Sequence, residues 1–182
     1  LETTQLDERY DRIRDIFLLS LYTGQRYSDY AKLSKDNIIF NNEREYLQVV
    51  QKKTKNRVKI PYSEKIKTIF EKYNGYPKSI SLQNFNDGIK EVCEIIGINA
   101  SVIIYYDIPA KGIVEKNVHP KWKFVSTHTA RRTFCTNAKR NGVPDKVIMQ
   151  ISGHKSLRTF QAYVRINPDT QLSDDLMFKY FG

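Results

Sequence analysis

The chain has 182 residues, with 30 Lys and Arg against 20 Asp and Glu, and its formal net charge is +10. Hydrophobic residues make up 40% of it, enough for the core of one soluble domain or two small ones. The sequence has neither an apolar run of about 18 residues nor a signal peptide, so we expect no membrane segment. The excess of positive charge favours a polyanionic partner, nucleic acid above all.

The cysteine content excludes two further classes of protein. Cys93 and Cys135 are too few for a disulfide framework or a four-cysteine zinc site, and a reducing cytoplasm is the expected location. A zinc site that combines them with His128 and His154 does not fit the usual ligand spacing, so we predict no metal and no cofactor. Because the chain begins with Leu rather than Met, we expect it to be a fragment of a longer protein.

Hydrophobic periodicity predicts a mainly helical chain. Leu6, Tyr10, Ile13 and Phe17 recur at helical spacing, and Thr23-Gly24 ends that helix. The predicted helices cover residues 6–22, 27–33, 63–74, 81–96, 126–140, 144–153, 156–164 and 168–181.

Between the second and third helices the pattern is typical of short strands. The predicted strands cover residues 38–40, 46–50 and 58–60, with turns at Asn41-Asn42 and Lys55-Asn56. β-Branched and aromatic residues within 101–125 predict a hairpin around Pro109 and Gly112. The fold class expected from these elements is α+β, mainly α, with a small antiparallel sheet of three strands.

The positive charge is concentrated in two segments. Residues 51–60 contain four Lys and one Arg, residues 121–140 contain three Lys and three Arg, and neither segment has an acid. Such a run is most often a solvated loop, but the second one also contains Phe124, His128 and Phe134. This composition favours a binding surface for a polyanion over a polar tail.

Three short motifs contain residues suited to phosphate chemistry. His128 and Arg131 share a face at a predicted helix N-terminus, where an oxyanion is favoured. Arg26 follows a strongly apolar helix and needs an anionic partner, which Asp29 can supply. His154 follows Gly153, and Tyr163 lies nine residues further on. Taken singly, each motif fits a structural role at least as well.

Taken together, the motifs resemble the catalytic domain of the tyrosine recombinases, the phage integrase family. The chain order is Arg, Lys, His-x-x-Arg, His, Tyr, and in detail it resembles integrases of conjugative or mobilisable transposons. The segments that carry the resemblance are TGQRYSD, KKTKNRVKIP, STHTARRTF and ISGHKSLRTFQAYVRI. Gln25 departs from the family pattern, in which an apolar residue is common at that position.

The resemblance implies a role for each matching residue. Arg26, Arg131 and His154 would bind the scissile phosphate, while His128 would assist proton transfer. Tyr163 would be the nucleophile and Lys53 the general acid, although Lys55 is close enough to be confused with it. Asp29 would orient Arg26. Further contacts to DNA would come from Lys52, Lys55, Arg57 and Arg132.

The resemblance also implies a reaction and an assembly. DNA strands would be cleaved and rejoined through a covalent 3′-phosphotyrosine, without metal or ATP. The partner would be double-stranded DNA, bound by a homotetramer of the full-length protein. Residues 1–182 would form one catalytic domain without the core-binding and arm-binding domains that precede it in the family.

Some alternatives stay open on sequence alone. An enzyme that nicks and closes DNA, like type IB topoisomerases, would share this chemistry without exchanging strands. A non-catalytic DNA-binding module would keep the charge but not the reaction. Residues 168–181 contain the apolar set Leu172, Leu176, Met177 and Phe181, which would dock either on a neighbouring protomer or on the same domain.

Overall fold

The computed structural model describes residues 1–108 and 113–164. Its helices are α1 Glu8–Thr23, α2 Tyr27–Tyr30, α3 Glu64–Lys72, α4 Leu82–Ile95, α5 Thr127–Arg140, α6 Asp145–Ser152 and α7 Leu157–Gln161. Its strands are β1 Ile38–Asn41, β2 Arg44–Val50, β3 Arg57–Pro61, β4 Ser101–Ile108 and β5 Ile113–Pro120. The predicted fold class, mainly α with a small antiparallel sheet of three strands, is confirmed. The helix predicted over residues 168–181 lies outside the described residues.

The three-stranded sheet has the order β1-β2-β3, and both strand pairs are antiparallel. Leu47 pairs with Ile60 and Val49 pairs with Val58, and all four side chains are buried. Alternation along each strand therefore turns one face toward the core. The β1–β2 turn consists of Asn42 and Glu43, and both have the positive φ that a two-residue hairpin loop requires. It therefore lies one residue beyond the predicted turn at Asn41-Asn42.

Strands β4 and β5 form a second, separate sheet of two antiparallel strands, so the predicted hairpin is confirmed. The hairpin exposes much of its apolar surface, including Tyr105, Val114 and Val118. A short 3-10 helix, Lys121–Phe124, then leads from β5 toward α5.

Helix α1 is the centre of the larger core. The Asp7 side chain accepts a hydrogen bond from the Tyr10 backbone N–H at 2.9 Å and caps the helix N-terminus. Gly24 ends the helix at φ +66°, and a Cβ there would lie 2.3 Å from the Phe134 ring. Helix α5 can therefore pack closely on the end of α1 only because residue 24 is glycine.

A smaller apolar cluster joins the last three described helices. Cys135 of α5, Ile148 of α6 and Phe160 of α7 are all buried in it, whereas Cys93 lies in the larger core. This packing brings together the start of α5 and the ends of α1 and α6, with the residues after α7 beside them.

Two predicted helices end earlier than the sequence pattern suggested. After Tyr30 the chain makes a turn that buries Leu33, so the helix predicted over 27–33 stops at Tyr30. Helix α7 stops at Gln161, and the Tyr163 N–H donates to the Phe160 carbonyl at 2.8 Å. Tyr163 is therefore in a tight turn just after a helix rather than within one. No helix of the described ranges is long and apolar enough to cross a membrane.

Candidate active site

Tyr163 lies against four of the other candidate residues. Its hydroxyl oxygen is 3.1 Å from Nδ1 of His128, and its ring centroid is 4.7 Å from that of His154. The guanidinium carbon of Arg131 lies 5.9 Å from the same ring centroid, and that of Arg132 lies 5.4 Å away. A phenol thus sits among two imidazoles and two guanidiniums, which are drawn from α5, the end of α6 and the turn after α7.

His128 is placed by the N-terminus of α5. The Ser126 N–H donates to Oγ1 of Thr129 at 3.0 Å, so a capping contact fixes the first turn of the helix at the predicted N-terminus. Burial, then the positive charges of Arg131, Arg132 and Arg26, lower the pKa of His128 below its usual range. The ring is therefore neutral at pH 7, and Nδ1 can accept the proton of the Tyr163 hydroxyl.

His154 follows Gly153, which ends α6 at φ +72°. The Ser152 hydroxyl donates to the Ile148 carbonyl at 2.6 Å and lies 2.8 Å from Nδ1 of His154. Since the hydroxyl has one proton, Nδ1 is the donor to Ser152 and Nε2 is left as an acceptor. Burial, then Arg131 and Arg26, lower the pKa of His154 to about 4, so the free site holds a neutral ring.

Arg131 is almost completely buried, with 1% of its surface exposed. It donates from Nη1 to the Gly24 carbonyl at 2.6 Å and from Nη2 to the Ser152 carbonyl. Its Nε is buried without a partner among the described residues. A guanidinium has five N–H donors, so these two bonds tie the ends of α1 and α6 to α5 and leave donors for an oxyanion.

Arg26 is the second guanidinium of the site. Its Nη1 is buried without a hydrogen bond among the described residues and lies 4.0 Å from Oδ2 of Asp29, at the outer limit of an ion pair. Its charge lowers the pKa of Arg131, His128 and His154, so it is electrostatically close to all three. Concentrated positive charge with unused donors is the physical signature of an anion-binding site.

The sixth candidate, Lys53, is not brought into contact with this cluster. It lies in the β2–β3 turn, exposed to solvent, and it has no hydrogen bond or ion pair within the described ranges. Its neighbour Lys52 donates a backbone hydrogen bond to Oδ1 of Asp29 at 2.8 Å. The turn is thereby attached to the site through Asp29, while the Lys53 ammonium is free.

The residues predicted to contact DNA outside the site are all exposed: Lys52, Lys55, Arg57 and Arg132. Lys52 and Lys55 line a cleft of about 350 Å³ together with Asp29. Arg132 lines a second cleft of about 470 Å³ that Tyr163 also borders, and Lys121 and Arg140 add two cations to its wall. The last two residues were not singled out from the sequence, although both belong to its basic segment 121–140.

Three buried polar residues near the site were not predicted from the sequence to form hydrogen bonds there: Gln25, Gln51 and Ser152. Each is 0% exposed and bonded to at least one other segment or to a site residue. The one available signal was the position of Gln25 beside Arg26, where an apolar residue is common in the family that the chain resembles.

Comparison with known proteins shows which proteins the chain is similar to. The model of the phage integrase family matches residues 107–170. A tyrosine recombinase of Thermosipho africanus is 26% identical over 167 residues, which are 88% of this chain and 52% of that protein. The chain thus spans about half the length of that relative.

Solved structures show the same fold. The XerH site-specific recombinase in a post-cleavage complex with difH DNA superposes with a TM-score of 0.64 at 13% identity, covering 98% of this chain and 49% of XerH. The Tn1549 transposon integrase bound to circular intermediate DNA gives a TM-score of 0.63 at 17% identity. The match covers 95% of this chain and 60% of the integrase chain. The fold is therefore that of a tyrosine recombinase catalytic domain. The family match over residues 107–170 and the sequence relative point to the same class of protein, so the chain is similar to the tyrosine recombinases in sequence as well as in fold.

Proposed function

We propose that this chain is the catalytic part of a site-specific DNA recombinase in which Tyr163 is the nucleophile. The observation that carries the proposal is the 3.1 Å contact between the Tyr163 hydroxyl and Nδ1 of His128. This contact supports the pairing of a phenol with a neutral base, and the guanidinium carbons of Arg131 and Arg132 lie 5.9 Å and 5.4 Å from the centroid of the same phenol ring. A phenol with an ordinary pKa near 10 needs such a base to attack at neutral pH.

The first step forms a bond from the Tyr163 oxygen to phosphorus and breaks the bond from phosphorus to the 5′ oxygen. The phenolic proton passes to His128, and a proton from Lys53 passes to the leaving oxygen. The products are a 3′-phosphotyrosine and a free 5′-hydroxyl. The reverse attack by another 5′-hydroxyl rejoins the strand, so the reaction consumes no ATP.

Arg26 and Arg131 stabilise the negative charge that develops on the phosphoryl oxygens, because each guanidinium has a buried N–H donor without a partner among the described residues. A phosphodiester beside Nε2 of His154 favours the protonated ring. The imidazolium then donates from Nδ1 to Ser152 and from Nε2 to the phosphate. His154 thus joins the phosphate site only once DNA is bound.

Lys53 reaches the leaving oxygen from an exposed turn. Its side chain is long and its ammonium has no partner among the described residues, while the Lys52 backbone N–H and the Thr54 hydroxyl on either side are hydrogen-bonded to Asp29 and Gln51. DNA lying across Lys52, Lys55, Arg57 and Arg132 brings the scissile phosphate between this turn and Tyr163. We propose that residues 1–182 are one catalytic domain, and that a longer protein acts as a tetramer on paired DNA duplexes.

Covalent trapping tests the proposal without knowledge of the target site. The probe is a labelled duplex library of random sequence around one fixed 5′-bridging phosphorothiolate, whose sulfur leaving group rejoins poorly. The chain is expected to form a protein–DNA adduct that resists detergent, and peptide mapping should place the DNA on Tyr163.

The matched controls are two tyrosine variants. Tyr163→Phe should lose the adduct and retain DNA binding, while Tyr105→Phe, an exposed position on the β4–β5 hairpin, should behave like the parent chain. An adduct that survives Tyr163→Phe would refute the nucleophile. DNA binding by the parent chain without any adduct would favour a non-catalytic binding module.

A further inference from the structure

Two glutamine side chains form a buried amide pair beneath the candidate active site. Gln25 follows the glycine that ends α1, Gln51 follows β2, and both are 0% exposed. Nε2 of Gln51 donates to Oε1 of Gln25 at 2.7 Å. Both amides also donate to the Ile151 carbonyl of α6, Gln25 at 2.8 Å and Gln51 at 3.1 Å.

The hydrogen bonds of the pair are complete. Gln25 gives its second N–H to the Thr23 carbonyl at 3.0 Å, and Oε1 of Gln51 accepts from the Thr54 hydroxyl at 2.7 Å. All four amide N–H donors and both oxygens are therefore used. A buried amide tolerates this location only when it is paired, so the set specifies one arrangement of its members.

The packing around the pair leaves little freedom. A Cβ on Gly153 would lie 2.0 Å from Oε1 of Gln51, so the end of α6 can approach only as glycine. The residue after Gly153 is His154. The amide pair is thus in contact with the backbone that presents this imidazole.

On its other side the pair holds the Lys53 turn. The Gln51 N–H donates to the Asn56 carbonyl at 2.9 Å, and the Lys55 N–H donates to the Gln51 carbonyl at 2.8 Å. With the Thr54 bond, these contacts fix both ends of the turn to Gln51. Lys53 itself is exposed and has no hydrogen bond or ion pair in the part of the chain that the structure describes, so its position depends on its neighbours.

We infer that Gln25 and Gln51 are positioning residues that set the location of Lys53 relative to Arg26 and His154. The inference rests on the proposed function and deepens it, because it names what aligns the general acid with the phosphate site. Three segments that carry candidate catalytic residues meet at one pair of amides: the end of α1, the β2–β3 turn and the end of α6. Neither glutamine touches DNA in this scheme, since both are buried.

Leucine has a volume similar to glutamine, so replacing both amides can leave the core filled while removing its directional bonds. The test variants are Gln25→Leu, Gln51→Leu and the double variant. Lys53→Ala reports the loss of the acid itself. Gln83→Leu, an exposed position in the first turn of α4, is the matched control.

The readout is the rate of adduct formation on two versions of one nicked duplex library, with oxygen or sulfur as the bridging 5′ atom. A thiolate leaves without protonation far more readily than an alkoxide, so the sulfur substrate does not need a general acid. We expect the rate of adduct formation by the glutamine variants to fall about 10- to 100-fold on the oxygen substrate and less than about threefold on the sulfur substrate. Lys53→Ala should show the same pattern. The double variant should be no worse than the worse single one.

Equal losses on both substrates would show that the pair only supports the fold, and full activity on the oxygen substrate would show that it positions nothing. Either result overturns the inference while leaving the proposed function intact. If the parent chain forms no adduct on either substrate, the proposed function itself fails. If the leucine variants do not fold, Thr54→Val is the variant that tests the inference. It removes the hydrogen bond from the half-buried Thr54 hydroxyl to Oε1 of Gln51. It must then show a loss confined to the oxygen substrate.

Discussion

Oδ1 of Asp29 accepts a hydrogen bond from the backbone N–H of Lys52 at 2.8 Å. The other carboxylate oxygen lies 4.0 Å from Nη1 of Arg26, so one buried side chain faces both the β2–β3 turn and a guanidinium of the candidate active site. This contact joins two motifs that are separated by more than twenty residues in the sequence. It also explains how the lysine turn is held beside the site although Lys53 has no hydrogen bond or ion pair with any residue that the structure describes.

The first prediction follows from this double contact. Asp29→Ala removes the acceptor for the Lys52 N–H and the negative charge beside Arg26. A hydrogen bond to a charged group contributes about 1.5–3 kcal/mol. We therefore expect the rate of adduct formation on an oxygen-bridged duplex library to fall about 10- to 100-fold. Asp29→Asn keeps an acceptor oxygen and should lose less. Asp36→Ala, at an exposed position on a short 3-10 helix before β1, Lys35–Asn37, is the control. Equal activity of the alanine and parent chains would contradict the role of Asp29.

The second prediction concerns stability at low pH. Because burial and two arginines lower the pKa of His154 to about 4, the unfolded chain binds more protons than the folded one between this value and the usual 6.5. Stability from the neutral ring is complete above about pH 6.5 and is lost as pH falls toward 4, by at most about 3 kcal/mol.

Urea unfolding of the parent chain and of His154→Gln at pH 7 and pH 5 checks this pKa. Glutamine keeps polar groups without a titrating proton, so the variant should lose less stability between the two pH values. The same pH dependence in both chains would show that His154 does not titrate as expected.

A third prediction separates steric contact from backbone strain at glycine. Gly24 and Gly97 both have positive φ, +66° and +79°, but only a Cβ at Gly24 would meet another side chain, 2.3 Å from the Phe134 ring. Gly97→Ala should therefore cost about 1–2 kcal/mol of unfolding free energy from backbone strain alone. Gly24→Ala should cost about 1–3 kcal/mol more, because α5 must move away from α1. Similar losses in urea titrations would argue against close packing of α1 and α5.

The fourth prediction concerns Asp15, a buried carboxylate of α1 outside the candidate active site. Asp15 is 3% exposed and accepts hydrogen bonds from Arg14 Nε at 3.0 Å, Lys72 Nζ at 2.6 Å and the Tyr73 hydroxyl at 2.9 Å. Asp15→Ala leaves the nearly buried Arg14 guanidinium with one carboxylate fewer, so we expect a loss of about 3 kcal/mol or more.

The control for Asp15 is an exposed ion pair that joins the same helix to α4. Glu91 lies 3.5 Å from Arg9 and both side chains are solvated, so Glu91→Ala should change the unfolding free energy by no more than about 0.5 kcal/mol. Chemical denaturation of both variants gives the comparison. A loss at Glu91 as large as that at Asp15 would mean that burial does not determine the strength of these pairs.

Local patterns were enough to predict most of the fold. The apolar spacing of Ile13 and Phe17 and the glycine after α1 each act through neighbours within a turn or two of the chain. The chain order of Arg26, His128, Arg131, His154 and Tyr163 likewise indicated a phosphate site before any geometry was known. Helix ends were less predictable, as at Leu33, because burial in the core overrides local helix preference.

The sequence by itself determined the elements, the charge and the residue types available for chemistry. Only the tertiary structure decided that the Tyr163 hydroxyl lies beside His128, and that Gln25 and Gln51 meet at the Ile151 carbonyl. It also decided that Asp29 and Gln51 bind the backbone around Lys53, whose own side chain has no hydrogen bond among the residues described. The physical reason is separation along the chain: Gln25 and Ile151 are 126 residues apart, and no local pattern encodes a contact that exists only once α1 and α6 have packed.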